Sequence, residues 1–343
     1  MKFDFAIGNP PYQETQEATS DNPVYNFFMD SAYEIADKTM LITPARFLFN
    51  AGKTPKAWNE KMLQDEHLKV SMYEPDSDKI FPNLATPIKG GVTVTYHDKD
   101  KVFGAIEIFT KFPILNTIFE KVKKVSRSYV SNFVFSPESY RFTDILHREN
   151  PNVINLLSDG HPYDVTSNIF SKLHGIVFFD EIPKDRKKYV AIVGRYENSR
   201  KTMYIRADYI DTHVNLNKYK LFYPKSNGAG QFGEVTSSAI VAKPGMGHTQ
   251  TFLSMGAFDT ETEAKNLNKY IITKFARCML GILKVTQDNK KGVWKCVPMQ
   301  NFTNKSDINW SKPLSDIDRQ LYKKYGLSKE EIDFIETNVR GME

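Results

Sequence analysis

The feature that most constrains this chain is a short apolar run that ends at a glycine and is followed, after one asparagine, by two prolines. Residues 3–8 read Phe-Asp-Phe-Ala-Ile-Gly, and residues 9–12 read Asn-Pro-Pro-Tyr. Pro10 and Pro11 fix their own φ near −65°, and each disfavours the helical region for the residue before it. The chain therefore leaves a strand in one extended geometry. This predicts a strand-to-loop junction at the carboxyl end of an α/β sheet, where such folds bind ligands.

The same tetrapeptide carries groups suited to binding an amine. The Asn9 side-chain carbonyl and the Pro10 backbone carbonyl can both accept hydrogen bonds from an exocyclic amine, which polarises the nitrogen and orients its lone pair. Tyr12 offers an aromatic face on which an extruded base can stack. Asn-Pro is also a common turn dipeptide without any further role. The strand before it and the tyrosine after it favour a site made of Asn9, Pro10, Pro11 and Tyr12.

The composition is that of a soluble globular protein. The 343 residues are 41% hydrophobic and 25% charged, and the length allows two domains. No apolar stretch approaches the roughly 20 residues that cross a bilayer, and the amino terminus does not read as a signal peptide. We expect a cytoplasmic protein without a membrane partner. Two cysteines, Cys278 and Cys296, and seven scattered histidines predict no metal site.

Charge is unevenly distributed along the chain. The first 125 residues hold 15 basic and 17 acidic side chains, whereas the remainder holds 31 and 24. A basic second part suits a polyanion such as nucleic acid. A solvated charged surface explains the same excess about equally well.

Periodicity divides the chain at about residue 125. Before it, strand-like segments alternate with helical ones, which predicts an α/β domain. After it, short strand-like segments are separated by charged and glycine-bearing loops. Thr260 with Glu263 behind it forms a capping-box pattern and predicts one long helix over residues 261–284. Two further helices are expected at 316–325 and 328–336.

Several segments carry a family resemblance. Residues 41–48 (Leu-Ile-Thr-Pro-Ala-Arg-Phe-Leu), 80–82 (Ile-Phe-Pro) and 91–96 (Gly-Val-Thr-Val-Thr-Tyr) follow the tetrapeptide in the order seen in one group of enzymes. Together they resemble adenine-specific DNA methyltransferases of bacterial type II restriction–modification systems. The resemblance places Tyr96 where the family has a second aromatic residue that holds the flipped base. Segments 219–223, 273–277 and 316–322 resemble the target-recognition region of the same family.

The resemblance implies a fold and a reaction. The fold is α/β, with a partial doubly wound, Rossmann-like methyltransferase sheet followed by a mixed α+β target-recognition domain. The implied domains are a catalytic part at 1–125, a DNA-binding part at 126–310 and a helical segment at 311–343. The implied reaction is methyl transfer from S-adenosyl-L-methionine to the amine of a flipped adenine in double-stranded DNA. Asn9 then also lies beside the cofactor.

One part of the family pattern is not found in its usual place. In the family, a glycine-rich turn and an acidic residue that hold the methyl donor come before the tetrapeptide, but here only eight residues do. We therefore expect a fragment or subunit that depends on a partner chain for the donor-binding motifs or associates with itself. A permuted order would need Ser238–Gly247, the one strand-then-Gly-x-Gly segment, and a lone Gly-x-Gly is a weak signal.

A basic cluster is the candidate DNA contact. Arg195, Arg200, Lys201 and Arg206 alternate with Tyr196 and Tyr204, a mixture that suits phosphates and base edges. A DNA-recognition subunit without catalysis is the alternative function. A methyltransferase acting on protein or RNA is a third possibility, since the tetrapeptide also occurs in those enzymes.

Overall fold

The computed structural model describes residues 3–14, 22–49, 52–82, 87–88, 90–110, 112–284 and 286–342. The chain forms two compact units, Met1–Thr117 and Ile118–Glu343, and the division falls within one helix. The fold is mixed α/β with several small sheets. No helix among the described residues is long and apolar enough to cross a membrane.

The first unit contains a four-stranded sheet with two helices packed on it, and a separate two-stranded sheet formed by β2 and β3. Its strands are β1 (Phe3–Gly8), β2 (Gln13–Glu14), β3 (Asn22–Pro23), β4 (Ala36–Pro44), β5 (Leu68–Glu74) and β6 (Val92–Asp98). Its helices are α1 (Tyr25–Ile35), α2 (Lys56–Gln64) and the first residues of α3 (Pro113–Val125). A 3₁₀ turn at Ala45–Phe49 follows β4 directly.

The strand order in this sheet is β1-β4-β6-β5. Strands β1 and β4 are parallel and are joined through α1, so they form a βαβ unit. Strand β6 is antiparallel to both β4 and β5, which makes β5 parallel to β4. Strand β1 is an edge strand among the described residues. The carboxyl ends of β1 and β4 therefore lie side by side at one end of the sheet.

The two faces of this sheet differ in how they are covered. One face packs against both helices: Leu41 and Leu68 share a buried cluster with Met29 of α1 and with Trp58 and Met62 of α2. The other face is open on the β1 side. Its apolar side chains are exposed by 48% at Phe3, 56% at Phe5, 77% at Ile7 and 38% at Met40. They share one face because strand residues alternate and Ile7 pairs with Met40.

The second unit holds the remaining elements. Its strands are β7 (Val134–Phe135), β8 (Tyr189–Tyr196), β9 (Ser199–Arg206), β10 (Tyr219–Pro224), β11 (Ile240–Ala242), β12 (Met246–His248) and β13 (Phe252–Phe258). Its helices are α4 (Asp144–Glu149), α5 (Ile169–Leu173), α6 (Glu261–Ile272), α7 (Lys274–Leu280), α8 (Leu314–Lys324) and α9 (Lys329–Asn338). Two sheets, ordered β11-β10-β13-β7 and β12-β8-β9, enclose one apolar core.

The prediction of one long helix over 261–284 is wrong, because the first helix ends and a second one begins at Thr273. The capping box of Thr260 and Glu263 does begin α6. At the break, Thr273 Oγ1 accepts a hydrogen bond from the Ala276 amide at 3.1 Å, and the buried Asp318 carboxylate accepts from the amides of residues 274 and 275. These bonds cap a second helix in place of the helical hydrogen bonds that would have continued the first.

Candidate functional site

A cavity of about 770 Å³ lies at the carboxyl ends of β1 and β4. This volume is in the range of sites that enclose a small organic ligand. The tetrapeptide forms one wall of the cavity, and residues after β4 form another. The described lining residues are Asn9, Pro10, Pro11, Tyr12, Gln13, Pro23, Tyr25, Pro44, Arg46, Gly52, Lys53, Thr54, Pro87 and Ile88.

The fold positions the tetrapeptide through β1. Asn9 follows Gly8, the last residue of β1, and Gly8 pairs with Leu41 of the neighbouring strand. Pro44 ends β4 at the same end of the sheet, so both strands deliver their next residues to the cavity. The amide of Val24 donates a 3.2 Å hydrogen bond to the Tyr12 carbonyl, which fixes the chain after the prolines.

Tyr12 is a half-buried aromatic side chain at this cavity. Its ring meets the ring of Phe81 edge-on, with centroids 6.4 Å apart and an interplanar angle of 61°. Burial raises the pKa of Tyr12 to about 12, so the hydroxyl stays protonated at neutral pH. Within the described part of the chain, that buried hydroxyl has no hydrogen-bond partner. A buried hydroxyl without a partner is costly, which favours a ligand or water beside it.

The opposite wall is rigid. Tyr25 is buried, and Thr54 Oγ1 donates a 2.7 Å hydrogen bond to Asn59 Oδ1 of α2. Tyr25 also packs edge-on against Trp58, with centroids 6.1 Å apart. These contacts tie the cavity to the helical face of the sheet.

The structure does not bring Tyr96 into this cavity. Tyr96 lies within β6 and pairs with Met40, in the middle of β4 and away from its carboxyl end. The Tyr96 hydroxyl donates a 2.7 Å hydrogen bond to Asp98 Oδ2, and this bond lowers the pKa of the Asp98 carboxyl. The Lys69 ammonium lies 5.3 Å from the Tyr96 ring centroid. These contacts place Tyr96 on the open face of the sheet.

The basic cluster lies on the β8–β9 hairpin, whose two-residue turn has Glu197 and Asn198 at positive φ. Directly paired residues point to the same face, so Arg195 and Arg200 lie side by side. Arg206 shares their face at the far end of the hairpin, whereas Lys201 points the other way because successive residues alternate.

The four cations also differ in their partners. Arg206 forms salt bridges with both Glu149 and Asp208, and its guanidinium lies over the Tyr209 ring. Lys201 pairs with Asp180 at 2.6 Å. The cluster therefore divides into two structural cations and the exposed pair of Arg195 and Arg200.

In the glycine-bearing segment at Gly245–Gly247, Gly247 is buried in the core. Gly247 lies in β12, and a Cβ atom at this position would come within 2.8 Å of the Ile192 side chain and 3.3 Å of Tyr140. The glycine allows two packed strands to approach closely. This packing leaves no room for a ligand at Gly247, the last residue of the segment considered for a permuted order.

Sequence reasoning did not identify Arg46 and Lys53 as site residues. Arg46 lies in segment 41–48, which carries the family resemblance, but a single arginine in an apolar run gave no separate signal. Both residues line the cavity: Arg46 lies in the 3₁₀ turn that follows β4, and Lys53 lies between that turn and α2.

Comparisons with known proteins bear on the first unit. Residues 1–81 match the model of the Eco57I restriction-modification methylase family. The match contains the tetrapeptide and most of the cavity. The amino-terminal part of this chain therefore resembles restriction–modification methylases. No curated protein matches the chain.

Two solved structures are similar over most of the chain. The type IIG restriction endonuclease BpuSI is 8% identical, with a TM-score of 0.29, over 93% of this chain and 50% of that enzyme. The type IIL restriction-modification enzyme MmeI, solved in complex with DNA, is 9% identical, with a TM-score of 0.30, over 97% and 56%. The chain thus spans about half the length of these enzymes.

Proposed function

We propose that this chain carries the acceptor-base site of an adenine-specific DNA methyltransferase that belongs to a restriction–modification system and acts in the cytoplasm. One observation carries the proposal. Asn9-Pro10-Pro11-Tyr12 lines a cavity at the carboxyl end of β1, within the segment that matches the methylase family.

The residues of the cavity have complementary tasks in this reaction. The adenine leaves the duplex, because its amine is otherwise engaged in base pairing, and it stacks on Tyr12. The Asn9 side-chain carbonyl and the Pro10 carbonyl accept hydrogen bonds from the amine. Both acceptors belong to a segment whose backbone is restricted by two prolines. The fixed orientation of the amine therefore supplies much of its activation for methyl transfer.

The methyl donor of such methylases is S-adenosyl-L-methionine, which supplies an electrophilic methyl group. The described residues do not fit it: no glycine-rich turn stands beside β1, and Gly247 is packed in a core. We therefore propose that residues outside this sheet hold it. In doubly wound sheets the ligand lies where the strand order reverses, which here corresponds to the free edge of β1.

Transfer from a methyl-labelled donor, in an enzyme reconstituted with the residues that hold the donor, tests the proposed function. We expect the label on DNA adenine, with RNA and protein unlabelled in parallel reactions. Label on protein or RNA in place of DNA would assign the chain to the third class of enzyme.

The second unit is proposed to contact DNA through Arg195 and Arg200. Because bound phosphates release counterions, the logarithm of the binding constant falls with the logarithm of salt concentration. We expect the double variant Arg195→Ala/Arg200→Ala to reduce that slope by about 2, close to one for each phosphate that the variant no longer binds. Fluorescence anisotropy over a salt series measures it.

The matched control for that measurement is Arg206→Ala. It removes one arginine charge from the same hairpin and breaks two salt bridges, so we expect lower stability with an unchanged salt slope. Equal slopes for the double variant and the wild type would contradict the assignment. Salt-dependent binding without any methyl transfer would support the alternative, a DNA-recognition subunit without catalysis.

The free edge of β1 predicts association with a partner chain or with a second copy. The strand reads Phe-Asp-Phe-Ala-Ile-Gly, without the lysine, proline or bulge that usually protects an edge. We expect the wild type to associate at micromolar concentrations and Phe5→Lys/Ile7→Lys to be monomeric in light scattering. Val214→Lys, at a position that is 70% exposed in the second unit, is the control. A strictly monomeric wild type would contradict the prediction.

A further inference from the structure

We propose that Arg46, assisted by Lys53, binds a backbone phosphate of the extruded nucleotide at the cavity beside Asn9. This assignment rests on the proposed function of that cavity. It adds a binding group for the nucleotide backbone to a site whose other proposed contacts reach only the base.

The stem of Arg46 is held between two glycines. A Cβ atom at Gly52 would lie 3.1 Å from Arg46 Cδ and 3.3 Å from Arg46 Cβ, and one at Gly90 would lie 2.9 Å from Arg46 Cγ. Both glycines have φ near +90°, a conformation that other residues rarely adopt. The methylene groups of Arg46 therefore pack directly on two backbone segments, which restricts where the guanidinium can point.

The backbone of Arg46 is equally well fixed. Its neighbours Ala45 and Phe47 are fully buried in the core of the first unit. The Ala45 amide donates a 3.0 Å hydrogen bond to the Gly91 carbonyl, which ties the start of the turn to the start of β6. A cation presented in this way loses little rotational freedom when it binds a ligand.

The position of the positive charge agrees with this geometry. Burial raises the pKa of Tyr25, and among the smaller effects the nearby Arg46 charge lowers it. Tyr25 and Arg46 thus lie near each other among the residues that line the cavity.

Among the residues that the structure describes, the charged side chains that line the cavity suit an anion. The described lining residues include two cations, Arg46 and Lys53, and no carboxylate. Asn9, Pro10 and Tyr12 face the neutral base and need no cation. A phosphodiester is the anion that an extruded nucleotide brings with it, and the planar guanidinium matches two phosphate oxygens at once.

The test measures affinity for DNA and does not require methyl transfer. The probe is a labelled duplex with one unpaired adenosine, which lowers the cost of extruding the base. Arg46→Met keeps the stem between the two glycines and removes the charge. We expect it to weaken binding about 10–100-fold, as for the loss of a charge-assisted hydrogen bond. Arg46→Lys is expected to restore part of that affinity, and Lys101→Met is the control for a charge removed away from the cavity.

An uncharged phosphate analogue tests whether Arg46 binds a backbone phosphate. We expect a methylphosphonate next to the unpaired adenosine to weaken wild-type binding by a similar factor and to have no further effect on Arg46→Met. Thermal unfolding of this variant within a few degrees of wild type shows that the fold is intact. Equal affinity of Arg46→Met and wild type, or equal losses from the methylphosphonate in both, would overturn the proposal.

Two other outcomes separate this inference from the proposed function. If Arg46→Met loses affinity for S-adenosyl-L-methionine in calorimetry and keeps its affinity for DNA, the guanidinium binds the donor carboxylate and the inference is wrong. If the wild type does not bind the duplex with the unpaired adenosine, both this inference and the proposed acceptor-base function are wrong. If the wild type prefers that duplex and Arg46→Met binds it equally well, only this inference is wrong.

Discussion

In an enzyme reconstituted with its donor-binding residues, Asn9→Ala will lower methyl transfer to DNA at least about 10²–10³-fold, the loss that follows removal of one preorganised hydrogen-bonding group from an active site. In the proposed function, the side chain removed is the acceptor that polarises the adenine amine, and nothing in an alanine replaces it. We expect DNA affinity to change less than twofold, because the proposed contact of Asn9 is with the reacting amine and not with the phosphate backbone. The backbone geometry is expected to persist, since Pro10 and Pro11 set it.

The measurement is release of N6-methyldeoxyadenosine, detected by mass spectrometry after digestion of DNA incubated with a labelled donor. Asn132→Ala, an exposed asparagine in the second unit, is the matched control and is expected to transfer methyl groups at the wild-type rate. Transfer by Asn9→Ala within tenfold of wild type would contradict the assigned role, as would a methyl group on cytosine.

The second large effect concerns stability at acid pH. His248 is fully buried, with its ring between those of Tyr140 and Phe222 at centroid distances of 4.8 and 4.9 Å. Its Nδ1 donates a 2.9 Å hydrogen bond to the Thr249 carbonyl when that nitrogen carries the proton. Burial lowers the pKa of His248 to about 3, and the nearby charges of Lys220 and His213 act in the same direction.

The sign of the effect follows from proton linkage. Between pH 3 and about 6.5 the unfolded chain binds a proton at His248 that the folded chain does not, so stability falls as the pH falls through that window. From pH 7 to pH 5 this one residue is expected to remove about 2 kcal/mol from the free energy of unfolding of the second unit.

Urea unfolding at both pH values measures this loss. His248→Phe is expected to remove the His248 contribution from the pH dependence, whereas His161→Asn, at an exposed histidine paired with Asp164, is expected to leave it in place. An unchanged pH dependence in His248→Phe would contradict the account.

The local part of the site could be predicted from sequence. The tetrapeptide places its own residues, because prolines and a preceding strand determine their geometry without help from distant segments. The cavity wall at Arg46 could not be predicted, since the glycines that hold it come from positions 52 and 90. The contacts of Tyr96 depend on its register with Met40, which no local pattern specifies.

The same distinction holds in the second unit. The capping box at Thr260 lies within four residues and was predictable. The end of α6 was not, because Asp318 caps the following helix from more than forty residues away. The hairpin cations look alike in sequence, and only the positions of Asp180, Glu149 and Asp208 separate paired from exposed side chains.

Photo-crosslinking shows whether the cavity beside the tetrapeptide receives an extruded adenine. A duplex with one unpaired 8-azidoadenosine needs neither a methyl donor nor the target sequence. We expect an adduct on the peptide that contains Asn9 to Tyr12, and we expect this adduct to be absent in Tyr12→Ala. Adducts confined to other peptides, in a chain that binds the duplex, would contradict the claim.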